Sequence, residues 1–96
     1  VYNKSAELNA KVQIASNDLQ TTQELIRLQE QTVANYRSLL DGERSLFSGG
    51  ESSLFMVNSR EMNYIQSQLK LNELITKLFV AKLKLEYALG SLYTKV

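Results

Sequence analysis

The amino-acid sequence predicts an all-α chain folded as one long antiparallel two-helix coiled-coil hairpin. Three observations carry that expectation. The 96 residues contain no proline, the only glycines are Gly42, Gly49, Gly50 and Gly90, and apolar residues recur by threes and fours on both sides of the central glycine pair. Without proline there are few places where a helix must break. Ser48-Gly49-Gly50-Glu51-Ser52-Ser53 is the one clear turn cluster and lies almost at mid-chain. The predicted order is a helix over about 4–47, a tip at 48–52, a helix over about 53–89 and a C-terminal tail at 90–96.

In the first arm an a/d seam steps through Leu8, Val12, Ala15, Leu19, Thr22, Ile26, Gln29, Val33, Tyr36, Leu40, Glu43 and Phe47, with polar lapses at Thr22, Gln29 and Glu43. Gly42 reads as a glycine tolerated within this helix, at about 1 kcal/mol relative to alanine. The competing reading is a break there, with Asp41 capping a new turn. A second seam, Ile14, Thr21, Leu25, Leu28, Thr32, Leu39 and Leu46, runs beside the first. At the tip, Ser52 is the expected N-cap of the second helix, its hydroxyl near the N–H groups of Leu54 or Phe55.

The second arm repeats the pattern. Val57, Tyr64, Leu71, Leu78, Leu85 and Leu92 recur every seven residues, with Leu74, Ala81 and Ala88 between them, and a separate seam runs Phe55, Met62, Ile65, Leu69, Thr76, Phe79 and Leu83. Gly90 stands where a left-handed helix cap is expected. The two seams of this arm lie roughly 150° apart on a helix of about 3.5 residues per turn. One hairpin partner covers only one of them. Each arm therefore looks built for a wall of helices touching neighbours on both sides, although wide apolar faces also suit a three- or four-helix bundle. An isolated hairpin with an uncovered seam is expected to self-associate, as an antiparallel dimer forming a four-helix bundle.

Composition excludes several function classes. Eleven Lys+Arg against ten Asp+Glu leave no basic field for nucleic acid. No apolar run approaches the ~20 residues of a membrane-spanning helix. No histidine is present, which removes the commonest general base and metal ligand at once, and the lack of cysteine suits an oxidising and a reducing compartment equally. The carboxylates scatter around the helices, and Gly49-Gly50 lacks the strand and lysine of a phosphate loop. No catalytic, cofactor-binding or metal-binding residue is nominated, and an enzyme is not expected. The start at Val1, without a leader, reads as that of an excised fragment.

Asn35-Tyr36-Arg37-Ser38-Leu39-Leu40, then Phe47-Ser48-Gly49-Gly50-Glu51-Ser52-Ser53-Leu54-Phe55, then Val57-Asn58-Ser59-Arg60-Glu61 and finally Ala88-Leu89-Gly90-Ser91-Leu92 carry a resemblance over about residues 30–93. This pattern resembles the last periplasmic hairpin of the TolC outer-membrane efflux family. The resemblance implies a segment of a periplasmic α-helical tunnel in a homotrimeric channel for tripartite efflux or type I secretion. It places the chain in the periplasmic portion of a Gram-negative outer-membrane protein. It implies a tip, residues Phe47, Ser48, Gly49, Gly50, Glu51, Ser52 and Ser53, that docks on a periplasmic adaptor (membrane fusion) protein and through it reaches an inner-membrane transporter. Ser52 stands where the best-known members carry an arginine, so the resemblance does not extend to a gating salt bridge there. Two alternatives stay open: the coiled-coil hairpin of the adaptor itself, and a generic structural coiled coil. Turn formation alone is likewise a sufficient reason for Gly49 and Gly50.

Overall fold

The computed structural model describes residues 3–93, with side chains described for 6–90. Two helices account for nearly all of it: α1, Asn3–Ser48, and α2, Leu54–Tyr93, packed against each other as a helical hairpin. Gly42 lies inside α1 without a break. Gly90 is also helical, and α2 passes through it to Tyr93 where the sequence suggested a cap. The cost of one helical glycine, about 1 kcal/mol, is smaller than that of giving up the final turn with its hydrogen bonds. Leu92 and the rest of the expected tail beyond residue 90 lie outside the residues whose side chains are described.

The chain divides into two compact units, and each is built from both arms. The tip unit comprises Ile26–Glu73. Leu40 and Val57 are its buried apolar residues, and Ile26, Val33, Tyr36, Tyr64 and Leu71 are half-buried around them. The root unit comprises Val1–Leu25 and Leu74–Val96. Its buried residues are Ala15, Thr22, Leu74, Ala81 and Ala88, with Leu19, Leu78 and Leu85 half-buried. In both units the inward residues are those of the first heptad seam on each arm, so a period close to 3.5 residues has selected one stripe per helix for the mutual contact.

The second seam of each arm remains outside. On α1, Ile14 is 61% exposed and Leu25, Leu28, Leu39 and Leu46 lie between 42 and 45%. On α2, Phe55 is 77% exposed, and Met62, Ile65, Leu69, Phe79 and Leu83 range from 49 to 62%. In the root unit Ile14 and Leu83 join Ala15, Val80, Tyr87 and Ala88 in lining an open groove of about 690 Å³. Among the described residues no helix is long and apolar enough to cross a membrane.

Candidate functional site: the hairpin tip

The reversal at residues 49–53 is a Schellman closure followed by a serine cap. At the end of α1 the Gly49 N–H donates to the Ser45 carbonyl at 3.1 Å, the Gly50 N–H to that of Phe47 at 3.0 Å and the Glu51 N–H to that of Leu46 at 2.8 Å. The last two bonds form the crossed pair that ends a helix on a left-handed residue. That residue is Gly50, with φ +78°, and no other described residue has a positive φ. A Cβ at Gly50 would meet nothing within 4 Å. The glycine is thus required by backbone conformation and not by crowding, and the space in front of it is open.

The cap of α2 is Ser53, one residue later than the sequence suggested. Its Oγ accepts the Met56 N–H at 3.2 Å, while its carbonyl accepts the first intrahelical bond, from Val57 N–H, at 3.1 Å. Ser52 has a different partner: its hydroxyl donates to Glu43 Oε2 on α1. Both serines can cap. The choice between them is made by how many residues the Schellman closure consumes before α2 begins.

Glu43 is therefore not an unpaired lapse in the seam. It is 8% exposed, and its other oxygen, Oε1, accepts a hydrogen bond from Arg60 Nε on α2 at 3.2 Å. The Ser52 hydroxyl, then the Arg60 guanidinium, hold the Glu43 carboxyl below its ordinary pKa against the opposing effect of burial. At the adjoining positions Arg44 Nη2 and Glu61 Oε2 form a more exposed pair at 3.1 Å. Gln29, another polar seam position, donates its Nε2–H to the Ser67 carbonyl at 3.0 Å, and the buried Ser67 hydroxyl turns back to the Tyr64 carbonyl at 2.7 Å. Tyr64 receives Arg37 Nη1 on its hydroxyl at 3.3 Å, with the guanidinium carbon 5.7 Å from the ring centroid. Among the described residues no buried side-chain nitrogen or oxygen lacks a partner.

Of the tip residues nominated from sequence, Phe47, Ser48, Gly49, Gly50, Glu51 and Ser53 are exposed and Ser52 is half-buried. Phe47, at 44% exposure, is not buried in the seam to which its spacing assigned it, and α1 ends one residue later. Of the nominated seam residues Leu40 and Val57 are buried, and Leu19, Ile26, Val33, Tyr64, Leu71, Leu78 and Leu85 are half-buried. What sequence reasoning missed is the Glu43–Ser52–Arg60 cluster. The available clue was that Arg60 and Ser67 fall in the same heptad series as Leu74, Ala81 and Ala88, so polar positions occur in both inner seams. No protein-family model, curated protein or solved structure matches the chain.

Proposed function

We propose that this hairpin is a segment of the periplasmic α-helical tunnel of a trimeric TolC-type outer-membrane channel, serving tripartite efflux or type I secretion. Residues 47–53 are the surface that meets the hairpin tips of a periplasmic adaptor (membrane fusion) protein, which links the channel to an inner-membrane transporter. The observation that supports this reading best is the second apolar seam. After the two helices have packed together, each still presents a full stripe of large apolar residues, including Leu28 and Leu39 on α1 and Phe55, Met62 and Leu69 on α2. Patches of that kind mark surfaces meant to be covered, and a helix covered on two sides is what a wall of helices requires. The tip residues that carry the family resemblance are exposed, apart from half-buried Ser52, and the open space before Gly50 suits close approach by a second backbone.

Crosslinking in cells tests the docking claim. This segment has no cysteine of its own, so single thiols at Ser48 and Ser53, in a full-length channel with any other cysteine replaced, report only their neighbours. They are expected to capture the adaptor. Gly50→Leu is expected to leave trimer formation and outer-membrane insertion intact, since its left-handed backbone costs about 1–2 kcal/mol with a side chain present, while export is lost. Normal export by that variant, with no adaptor captured at either position, would reduce the tip to a turn.

A further inference from the structure

The tip unit turns inward the seam set that carries charged residues. The inner stripe of α1 contains Gln29 and Glu43 beside Ile26, Val33, Tyr36 and Leu40, and that of α2 contains Arg60 and Ser67 beside Val57, Tyr64 and Leu71. The stripes left outside carry no charged residue and as many large apolar side chains: Leu28, Leu39 and Leu46 on α1, and Phe55, Met62, Ile65 and Leu69 on α2. Hydrophobic burial, taken alone, gives no preference for the set that carries the charges. Something other than apolar area has chosen the face.

We propose that the Glu43–Ser52–Arg60 cluster, seconded by Gln29 and Ser67, is an orientation key that decides which seam each helix of the tip unit turns toward the other. If α2 alone rotated to bring Phe55, Met62, Ile65 and Leu69 inward, Arg60 would leave Oε1 of Glu43, and a carboxylate would stay in the seam without its cation. If α1 alone rotated, Arg60 and the Ser67 carbonyl would lose Glu43 and Gln29 in the same movement. Rotating both would free the cluster into water, but turns of roughly 100° for α1 and 150° for α2 would have to be absorbed within the tip. There the Glu51 N–H is held by Leu46, the Met56 N–H by Ser53 and the Ser52 hydroxyl by Glu43. Single rotations are opposed by charge and the double rotation by the turn. The polar positions thus act as buried polar residues do in other coiled coils, where they fix register at some cost in stability. The outer seams are left free for a partner, and the key operates whichever partner covers them.

Thiol accessibility reads the orientation directly, because single cysteines can be introduced without background. Position 57 is on the inner seam, 7% exposed, and position 65 on the outer seam, 49% exposed. In the dilute monomer, labelling of Ile65→Cys is expected to outrun that of Val57→Cys by more than about tenfold, since a buried thiol reacts only through local opening. Adding Glu43→Arg sets two guanidinium groups against each other in the observed packing, and the ratio should collapse or invert while helix content by circular dichroism persists. The charge swap Glu43→Arg with Arg60→Glu should restore the wild-type ratio, and restoration supports the key even if Glu43→Arg alone fails to fold. A wild-type ratio in folded Glu43→Arg overturns the proposal, as does a charge swap that does not restore it.

Discussion

The tip and root units solve the same packing problem with different side chains. The root buries Ala15, Ala81 and Ala88 with Thr22 and one large apolar residue, Leu74, whereas the tip buries Leu40 and Val57 together with Glu43 and Ser67. Small side chains at a helix contact permit close approach of the backbones and leave little volume to lose on mutation. A buried, hydrogen-bonded charge adds little net stability and much discrimination, because only one arrangement satisfies it. The comparison separates two properties that are often merged. The root is built for closeness, the tip for uniqueness.

Cavity formation should divide the units most sharply. Leu40 is 2% exposed, and Leu40→Ala in the tip is expected to destabilise the hairpin by about 2–5 kcal/mol in denaturant unfolding. The converse change belongs to the root. Ala81→Leu overfills a contact made by small residues and should cost about 1–3 kcal/mol, and a neutral result would show that the root helices are not closely apposed. Capping gives a smaller effect that tests the corrected assignment. Ser53→Ala should cost about 1 kcal/mol through the lost bond to the Met56 N–H, and Ser52→Ala should leave α2 capped while loosening the tip loop in amide exchange.

Acid provides the mildest perturbation and should touch the tip first. Glu43 is faced by Arg60 from α2 and Ser52 from the loop, with Arg44 and Glu61 beside them. Its folded-state pKa is lowered, so the stability it contributes is present above the ordinary glutamate value, about 4.3. That stability is lost as pH falls through the lower folded value. Amide exchange at 49–57 is expected to quicken over that acid range while amides of the root change less, and Glu43→Gln should remove the difference.

Most of this architecture was legible in the sequence because one period governs it. Heptads from Leu8 to Glu43 and from Val57 to Ala88 name nearly every inward residue, and two seams per arm announced an uncovered face. The site was less legible because a heptad identifies a stripe without its partner. Gln29 and Glu43 read as lapses in a one-dimensional pattern; only the antiparallel register brings them to Ser67 and Arg60. The tip differed by one residue for a related reason. Ser52 and Ser53 have equal chemistry, and the left-handed turn at Gly50 fixes which one faces the first N–H groups of α2. Gly90 misled because an αL cap and a tolerated helical glycine look alike when no proline follows.

The span of chain between bonded partners also sets a timetable. Glu43 and Ser52 are 9 residues apart, Glu43 and Arg60 17, and Gln29 and Ser67 38. The entropy of closing a loop rises with its length, so the nearest partners meet first. The hairpin is expected to fold as a zipper that starts beside Gly50, which places Glu43, Ser52 and Arg60 in the nucleus and the alanines of the root among the last contacts made. Substitutions at Leu40 or Val57 should then slow folding, while those at Leu74 should chiefly hasten unfolding in stopped-flow measurements. Facial choice would be settled within the first few turns of helix, before the larger part of the apolar surface has had any influence on the outcome.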